Sequence, residues 1–374
     1  MRHSPEAAHD MLAPGTRVED IVSRWSAHRV FVALAVVLSA CGSQTARTTE
    51  SALPDPSPSS TPTSAAPGSS NSTAYQLDEV AGLDVALGRG ADWPVELDGS
   101  LWVLVPDADE GPAIFRVDPE TGAEQARIAL EGQLCQQLTA GHGSIWACGD
   151  GEMLRIDPAT NTVAEQIPLT TPQVVGRPAV TDSAVWTLSG NVTATAVTGI
   201  DVATNAVIAT YELGHAGQRM AASHDALWVT TGDEGTLLRV DPMTGEVTEA
   251  LSDLPSPTVV AAGAGALWVL LFGTPDAVAD DKGALLRYDP ESGEVDRFDI
   301  GGSPGLVGDI VAADTGVWVR GSDPLVVMVD PTSGEVLWSV ERPGLGDGSL
   351  GIGEGAIWVT DVDRGRVWRI DPPN

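Results

Sequence analysis

Apolar residues in this chain come in short runs, each broken within a few positions by Gly, Asp, Pro or Thr, and the runs recur in one phrase. A small residue leads an apolar pair ending in Trp, a turn follows, and a second apolar run closes on Asp. Pro follows that Asp in all but the third repeat. The tryptophans are Trp102, Trp146, Trp186, Trp228, Trp268, Trp318 and Trp358, spaced 44, 40, 42, 40, 50 and 40 residues apart. Such runs are too short for helices, and their period predicts four short strands per repeat. One such sheet cannot bury both faces alone, so seven of them closing into a ring is the expected solution. The fold class is therefore all-β: a seven-bladed β-propeller with four antiparallel strands per blade.

The fourth repeat shows how a blade is written. Met220–Ser223 reads as the innermost strand, Ala226–Thr230 as the second with Trp228, Leu237–Val240 as the third and Glu246–Leu251 as the outer one. Between the last two lies Asp241-Pro242-Met243-Thr244-Gly245: Asp accepts backbone N–H bonds, Pro presets φ, and Gly takes a left-handed corner. The turn recurs at Asp118, Asp157, Asp289 and Asp330, with Asn161 in place of Gly in the second blade. The third blade has Asp201-Val202-Ala203-Thr204-Asn205 and lacks the proline. These aspartates read as turn caps rather than acids or ligands. The tryptophans read as wedges between neighbouring sheets rather than as carbohydrate platforms. An insertion, Phe272 to Gly283, accounts for the 50-residue gap before Trp318. The seventh repeat ends after its third strand, so a strand within Ala74 to Val80 is expected beside Val367 to Ile370, closing the ring.

Composition narrows the partners. With 52 acidic and 20 basic residues the formal charge is −32, a surface that repels phosphate backbones and argues against nucleic-acid binding. Nineteen of the basic residues are Arg, a bias read as compositional rather than mechanistic. Near the N-terminus, Arg24 and Arg29 precede nine apolar residues, Val30 to Leu38, too few to span a bilayer but suited to a secretion signal. Leu38-Ser39-Ala40-Cys41 closes that run and is similar to a bacterial lipobox, which implies acylation of Cys41 and a signal peptide over 1–40. Residues 41–73 then form the lipidated Cys and a spacer; Ser, Thr and Pro supply 20 of the 32 residues from Gly42 to Thr73, a composition expected to be disordered. The expected place is the outer face of a bacterial cytoplasmic membrane, the membrane partner being reached through the lipid on Cys41. Translation from Met11 would leave this unchanged. The propeller occupies 74–374, with the monomer as the expected state.

Segments such as Gly265-Ala266-Leu267-Trp268-Val269 and Leu237-Leu238-Arg239-Val240-Asp241-Pro242 resemble the bacterial YVTN-type and streptogramin (virginiamycin B) lyase-like propellers. That resemblance implies the fold, and functions that range from a metal-dependent lyase to binding proteins and sensor domains. The lyases use His and Glu with magnesium at one mouth of the ring. Here His142, His215 and His224 are the histidines beyond the signal, and no His-x-His or clustered His and Glu is visible in the mouth loops.

Candidate chemistry is sparse. The loops leading into the innermost strands contribute Gln173, Arg177, His215, Arg219 and Asp309, the candidate ligand-binding set. Arg177 and Arg219 suit a carboxylate or sulfate through bidentate hydrogen bonds, the rival being pairing with nearby acids. Acidic second-to-third-strand turns read as a solvated rim, since no Asp-x-Asp-x-Asp-Gly loop is present. No nucleophile elbow, phosphate loop or zinc spacing occurs, so no catalytic residue, metal or cofactor is assigned. The expected function is a lipid-anchored extracytoplasmic module binding a protein or small ligand, with a metal-dependent lyase-like enzyme as the alternative. Cys135 and Cys148 flank the first hairpin of the second blade and are expected to form a disulfide. With the turn centred between Gly141 and His142, they would face each other across the ladder.

Overall fold

The computed structural model describes residues 72–371, apart from 110, 132–136, 150, 171–173, 191–194, 273–283, 301–307, 322, 345 and 354. Those residues form seven blades of four antiparallel strands, one of which carries a fifth strand on its outer edge. The innermost strands are Asp92–Leu97, Leu138–Gly141, Val174–Val180, Arg219–Ser223, Pro257–Gly263, Asp309–Ala313 and Leu350–Gly353. Blade four matches its sequence template almost residue for residue, with strands Arg219–Ser223, Ala226–Thr230, Leu237–Val240 and Val247–Leu251.

Each periodic Trp sits on a second strand and is at most 2% exposed. Its apolar body fills the wedge between sheets, and where possible its indole N–H finds a partner across the first hairpin. Trp146, Trp228 and Trp268 donate to the carbonyls of Gly141, Ser223 and Gly263 at 3.0–3.1 Å. First-hairpin turns such as His142-Gly143 and His224-Asp225 hold positive φ at both corners, the twist-matched geometry of tight hairpins. Asp-Pro turns close as their sequence dictates. Asp241 Oδ1 accepts from the amides of Met243 and Thr244 at 2.8 and 3.0 Å, and Gly245 takes φ of 76°. The proline-free third blade makes the same turn, with Asp201 Oδ1 accepting from Ala203 and Thr204. The strands flanking the fifth-blade insertion are Ala266–Leu271 and Ala284–Tyr288, while residues 273–283 of the insertion lie outside the described residues.

Ring closure uses a later segment than the one expected. Ala81–Ala86 pairs antiparallel with Arg366–Ile370 and completes blade seven, its Val85 opposite Val367. The segment Ala74 to Val80 does something else: Thr73–Gln76 lies parallel to Val336–Glu341 as a fifth strand on blade six, and Leu77–Val80 is one helical turn. Leu77 explains the difference. It is 1% exposed and buried among Trp318, Trp338 and Trp368, an apolar site that the pairing beside Val367 would leave empty.

A second departure concerns the first hairpin of blade two. Gly141 faces Ser144 and Thr139 faces Trp146, so the turn is His142-Gly143, one residue beyond the expected centre. Continued outward, that register sets residue 137, not Cys135, opposite Cys148. Cys148 is buried and disulfide-bonded, and Cys135 lies outside the described residues. The signal, Cys41 and residues 42–71 also lie outside them.

Several arginines join the blades, which gives part of the Arg bias a structural cause. Arg116 stands opposite Trp102 and Arg155 opposite Trp146, each guanidinium about 5 Å over the indole. Arg155 then reaches the next blade's turn, donating from Nη1 to Val202 O and Asn205 Oδ1 at 2.8 Å. Arg116 does the same to Pro158 O and Asn161 Oδ1 at 2.7 and 3.0 Å. A lysine offers neither the planar stack nor the fork.

Candidate functional site at the mouth of the ring

Innermost strands start at one mouth, and three of them bulge there. In blade three the register slips between Val175 and Ala179, helped by Gly176 at φ of 76°. Extra residues, two in this strand, bend it and re-aim its side chains. Here the slip carries Arg177. In blade one the slip lies between Asp92 and Val95, where Trp93 holds φ of 55°, a conformation costly for a bulky residue. The third slip is in blade five, between Pro257 and Val259.

Arg177 and Trp93, placed by the bulges, meet Arg219 and Asp309 of the regular strands around a cavity of about 250 Å³ in the middle of the ring. The Arg177 guanidinium lies 5.0 Å and that of Arg219 5.8 Å from the centre of the Trp93 indole. Cation–π attraction holds two like charges on one platform. Arg177 is further fixed by donating from Nη2 to Leu350 O at 3.0 Å and to Asp309 Oδ2 at 3.5 Å. Asp309 is itself pinned, accepting from the Leu350 amide at 2.9 Å and the Ile310 amide at 3.0 Å. Arg219 is held differently: Nη1 donates to Gln218 O at 3.1 Å, and no carboxylate lies within ion-pair distance among the described residues. Burial pulls its guanidinium below the ordinary value, though Arg remains cationic. Pairing with local acids thus describes Arg177 and not Arg219.

At this mouth a buried polar seam joins blades seven and one. Asp92 Oδ1 accepts from Ser349 Oγ at 2.5 Å and Thr360 Oγ1 at 2.6 Å, and the Trp93 amide donates to Ser349 Oγ at 2.9 Å. Burial pushes the Asp92 carboxyl above its usual range, with the two hydroxyl donors pulling the other way. Arg320, 3% exposed and opposite Asp309 in the ladder, donates to the carbonyls of Gly321, Gly346 and Thr360 and so ties blade six to blade seven.

His215 lies on the same face but not in the cavity lining. Its Nδ1 contacts Glu234 Oε2, and Glu234 Oε1 accepts from the Ala216 amide at 3.1 Å. These hydrogen bonds, that of His215 first, hold the Glu234 carboxyl below its usual range. A His and a Glu that are 19 residues apart are therefore adjacent, which the chain order conceals. His142 and His224 stand in first-hairpin turns at the other face. Gln173 lies outside the described residues. Among the described residues no group of three or more His, Cys, Asp or Glu is arranged to hold a metal.

Trp93 was the member that sequence reasoning missed. It is out of phase with the seven-fold period, in Asp92-Trp93-Pro94 at the start of an innermost strand, and that displacement is the signal that would have found it.

A repeat family of unknown function, DUF6923, matches residues 175–274. Among curated proteins none matches. Among solved structures, BamB from Moraxella catarrhalis is similar over 79% of this chain and 98% of its own, at 13% identity and a TM-score of 0.52. U3-55K is similar over 77% and 98%, at 13% identity and 0.61, and the computationally designed Ika8 protein over 78% and 100%, at 11% and 0.58. At such identities the likeness extends to the fold alone.

Proposed function

We propose that this chain is a lipid-anchored, extracytoplasmic binding module that takes a protein or small ligand at the mouth containing Arg177 and Arg219. The observation that carries it is the cavity there, where two guanidinium groups share the Trp93 ring and, among the described residues, only one has a carboxylate partner. The lipobox ending in Cys41 and the Ser/Thr/Pro spacer support the anchored, exported half of the reading, and the YVTN-like phrases support its membership among extracytoplasmic propellers. Export also suits a Cys135–Cys148 bridge. A crosslinked pull-down from membranes tests the module: stoichiometric partners are expected with the native chain, and none should survive Arg177→Glu with Arg219→Glu. Cys41→Ala should abolish acylation and release the domain or leave a precursor; normal membrane retention of the processed variant would refute the anchor.

One observation favours a second reading, the metal-dependent lyase-like enzyme, namely the contact between His215 and Glu234 beside the mouth. Turnover by the purified chain that is abolished by His215→Ala would establish it in place of the first.

A further inference from the structure

The walls of the mouth cavity carry more information than its two cations. Apart from Arg177, Arg219 and Asp309 its lining is uncharged, and it is mostly aliphatic, with Val180, Met220, Ala221, Val260, Val311 and Ala312 among the contributors. The lining therefore holds one positive charge in excess, inside a chain of formal charge −32. The charges also divide by role. Arg177 is already occupied by Leu350 O and Asp309, which makes it a fixed fork rather than a free one. Arg219 spends one donor on Gln218 O, and the rest of its fork has no protein partner among the described residues. Both are braced on Trp93, so neither loses much freedom on meeting a ligand, and a preorganised guanidinium matches a planar carboxylate bidentately. At roughly 30 Å³ per water the space equals about eight waters, the scale of a short organic acid.

Resting on the binding-module reading above, the geometry points to a small monocarboxylate with an apolar tail as the occupant: its carboxylate on the free fork of Arg219 and its tail against the aliphatic wall. A dianion leaves a net negative charge in the cavity once Asp309 is counted, and a bare inorganic anion leaves the wall in contact with water.

Titration calorimetry on the purified full-length chain, with hexanoate, hexanamide and sulfate as probes, tests this. Hexanoate should bind one to one, and hexanamide and sulfate each roughly ten- to a hundredfold more weakly, the former having lost a charge-assisted hydrogen bond and the latter the buried tail. Arg219→Gln should weaken hexanoate by a similar factor. Arg219→Lys keeps the charge but not the fork; it should still lose severalfold and stands in if the Gln variant fails to fold by circular dichroism. Equal binding of hexanoate and hexanamide, or of hexanoate and sulfate, overturns the proposal, as does hexanoate binding untouched by both Arg219 variants. A stoichiometric partner captured equally well by the native chain and Arg219→Gln, with no hexanoate binding, sinks this inference and leaves the binding module standing.

Discussion

At the scale of single residues, the fifth position of several of these Asp turns answers to the blade before it. Two turns that receive an arginine from that blade end in Asn, Arg116 meeting Asn161 and Arg155 meeting Asn205, whereas Arg369 reaches Pro119 O in a turn that ends in Gly122. Where it sends an aromatic ring, the turn ends in Gly, because a Cβ at Gly245 would lie 2.3 Å from Tyr211 and one at Gly334 2.0 Å from Phe298. All of these residues hold positive φ, which Asn tolerates almost as well as Gly. Gly245→Asn should therefore cost about 1–3 kcal/mol by overpacking, whereas Gly293→Asn, with open space around it, should cost well under ~1 kcal/mol. Urea midpoints of the two variants decide it, and equal losses would contradict the steric account. The Arg–Asn latch yields its own contrast: Arg155→Lys gives up its hydrogen bonds to Val202, Asn205 and Ser144 and should destabilise by about 1–2 kcal/mol. Arg239→Lys, at the equivalent position without such a bridge, should lose less. The recurrent turn was legible from sequence because each of its residues is dictated locally. Its fifth residue was not, because the deciding neighbour comes from another blade.

Among elements, strands and turns were readable wherever the cause was local periodicity, as in blade four. The mouth was not, since register slips place Arg177 and Trp93, and these slips, of two residues in blade three and one in blade one, leave no mark in the apolar pattern. The first hairpin of blade two lies one residue from its expected centre: both candidate turns join His142 to a glycine, and only the pairing of Gly141 with Ser144 decides between them. The turns themselves make a pH prediction. Asp118, Asp201, Asp241, Asp289 and Asp330 are all held below the usual carboxylate range by hydrogen bonds from their own turns. A carboxyl lowered in the folded state contributes stability that is fully present above its unfolded value, near 4, and is lost as pH falls through the lowered one. Acid titration of the urea midpoint should thus fall steeply below about pH 4. Asp241→Ala should lower the midpoint at neutral pH and flatten that fall; a variant whose acid limb matches the native one would show that the turn bonds contribute nothing.

For the whole molecule the governing question is how a ring of weakly coupled blades stays shut. The seam between blades one and seven combines the closing strand Ala81–Ala86 with the hydroxyl bonds to Asp92, and Asp92 works against the seam at neutral pH. Its carboxyl is raised by burial, so the penalty for ionising it appears as pH climbs from the unfolded value through the raised folded one. Asp92→Asn keeps an acceptor for Ser349 and Thr360 and should raise the thermal midpoint at pH 7, with the gain shrinking as the solution is acidified and gone by about pH 4. The opposite pH trend would show that the ionised form is the stabilising one. Closure by a segment from the other end of the chain was foreseeable from the truncated seventh repeat, but which segment closes depended on Leu77, a single side chain. That placement has a mechanical meaning. The closing strand is not the first part of the fold to feel a pull on the chain ahead of Thr73: the force meets Thr73–Gln76 and the Leu77 plug on blade six before it reaches Ala81. The arrangement is a strain relief, in which the outermost strand can peel and reseat while the ring remains closed. Leu77→Ala, costing about 2–4 kcal/mol locally, should lower the force of a first, small extension in single-molecule pulling and leave the main rupture of the propeller where it was.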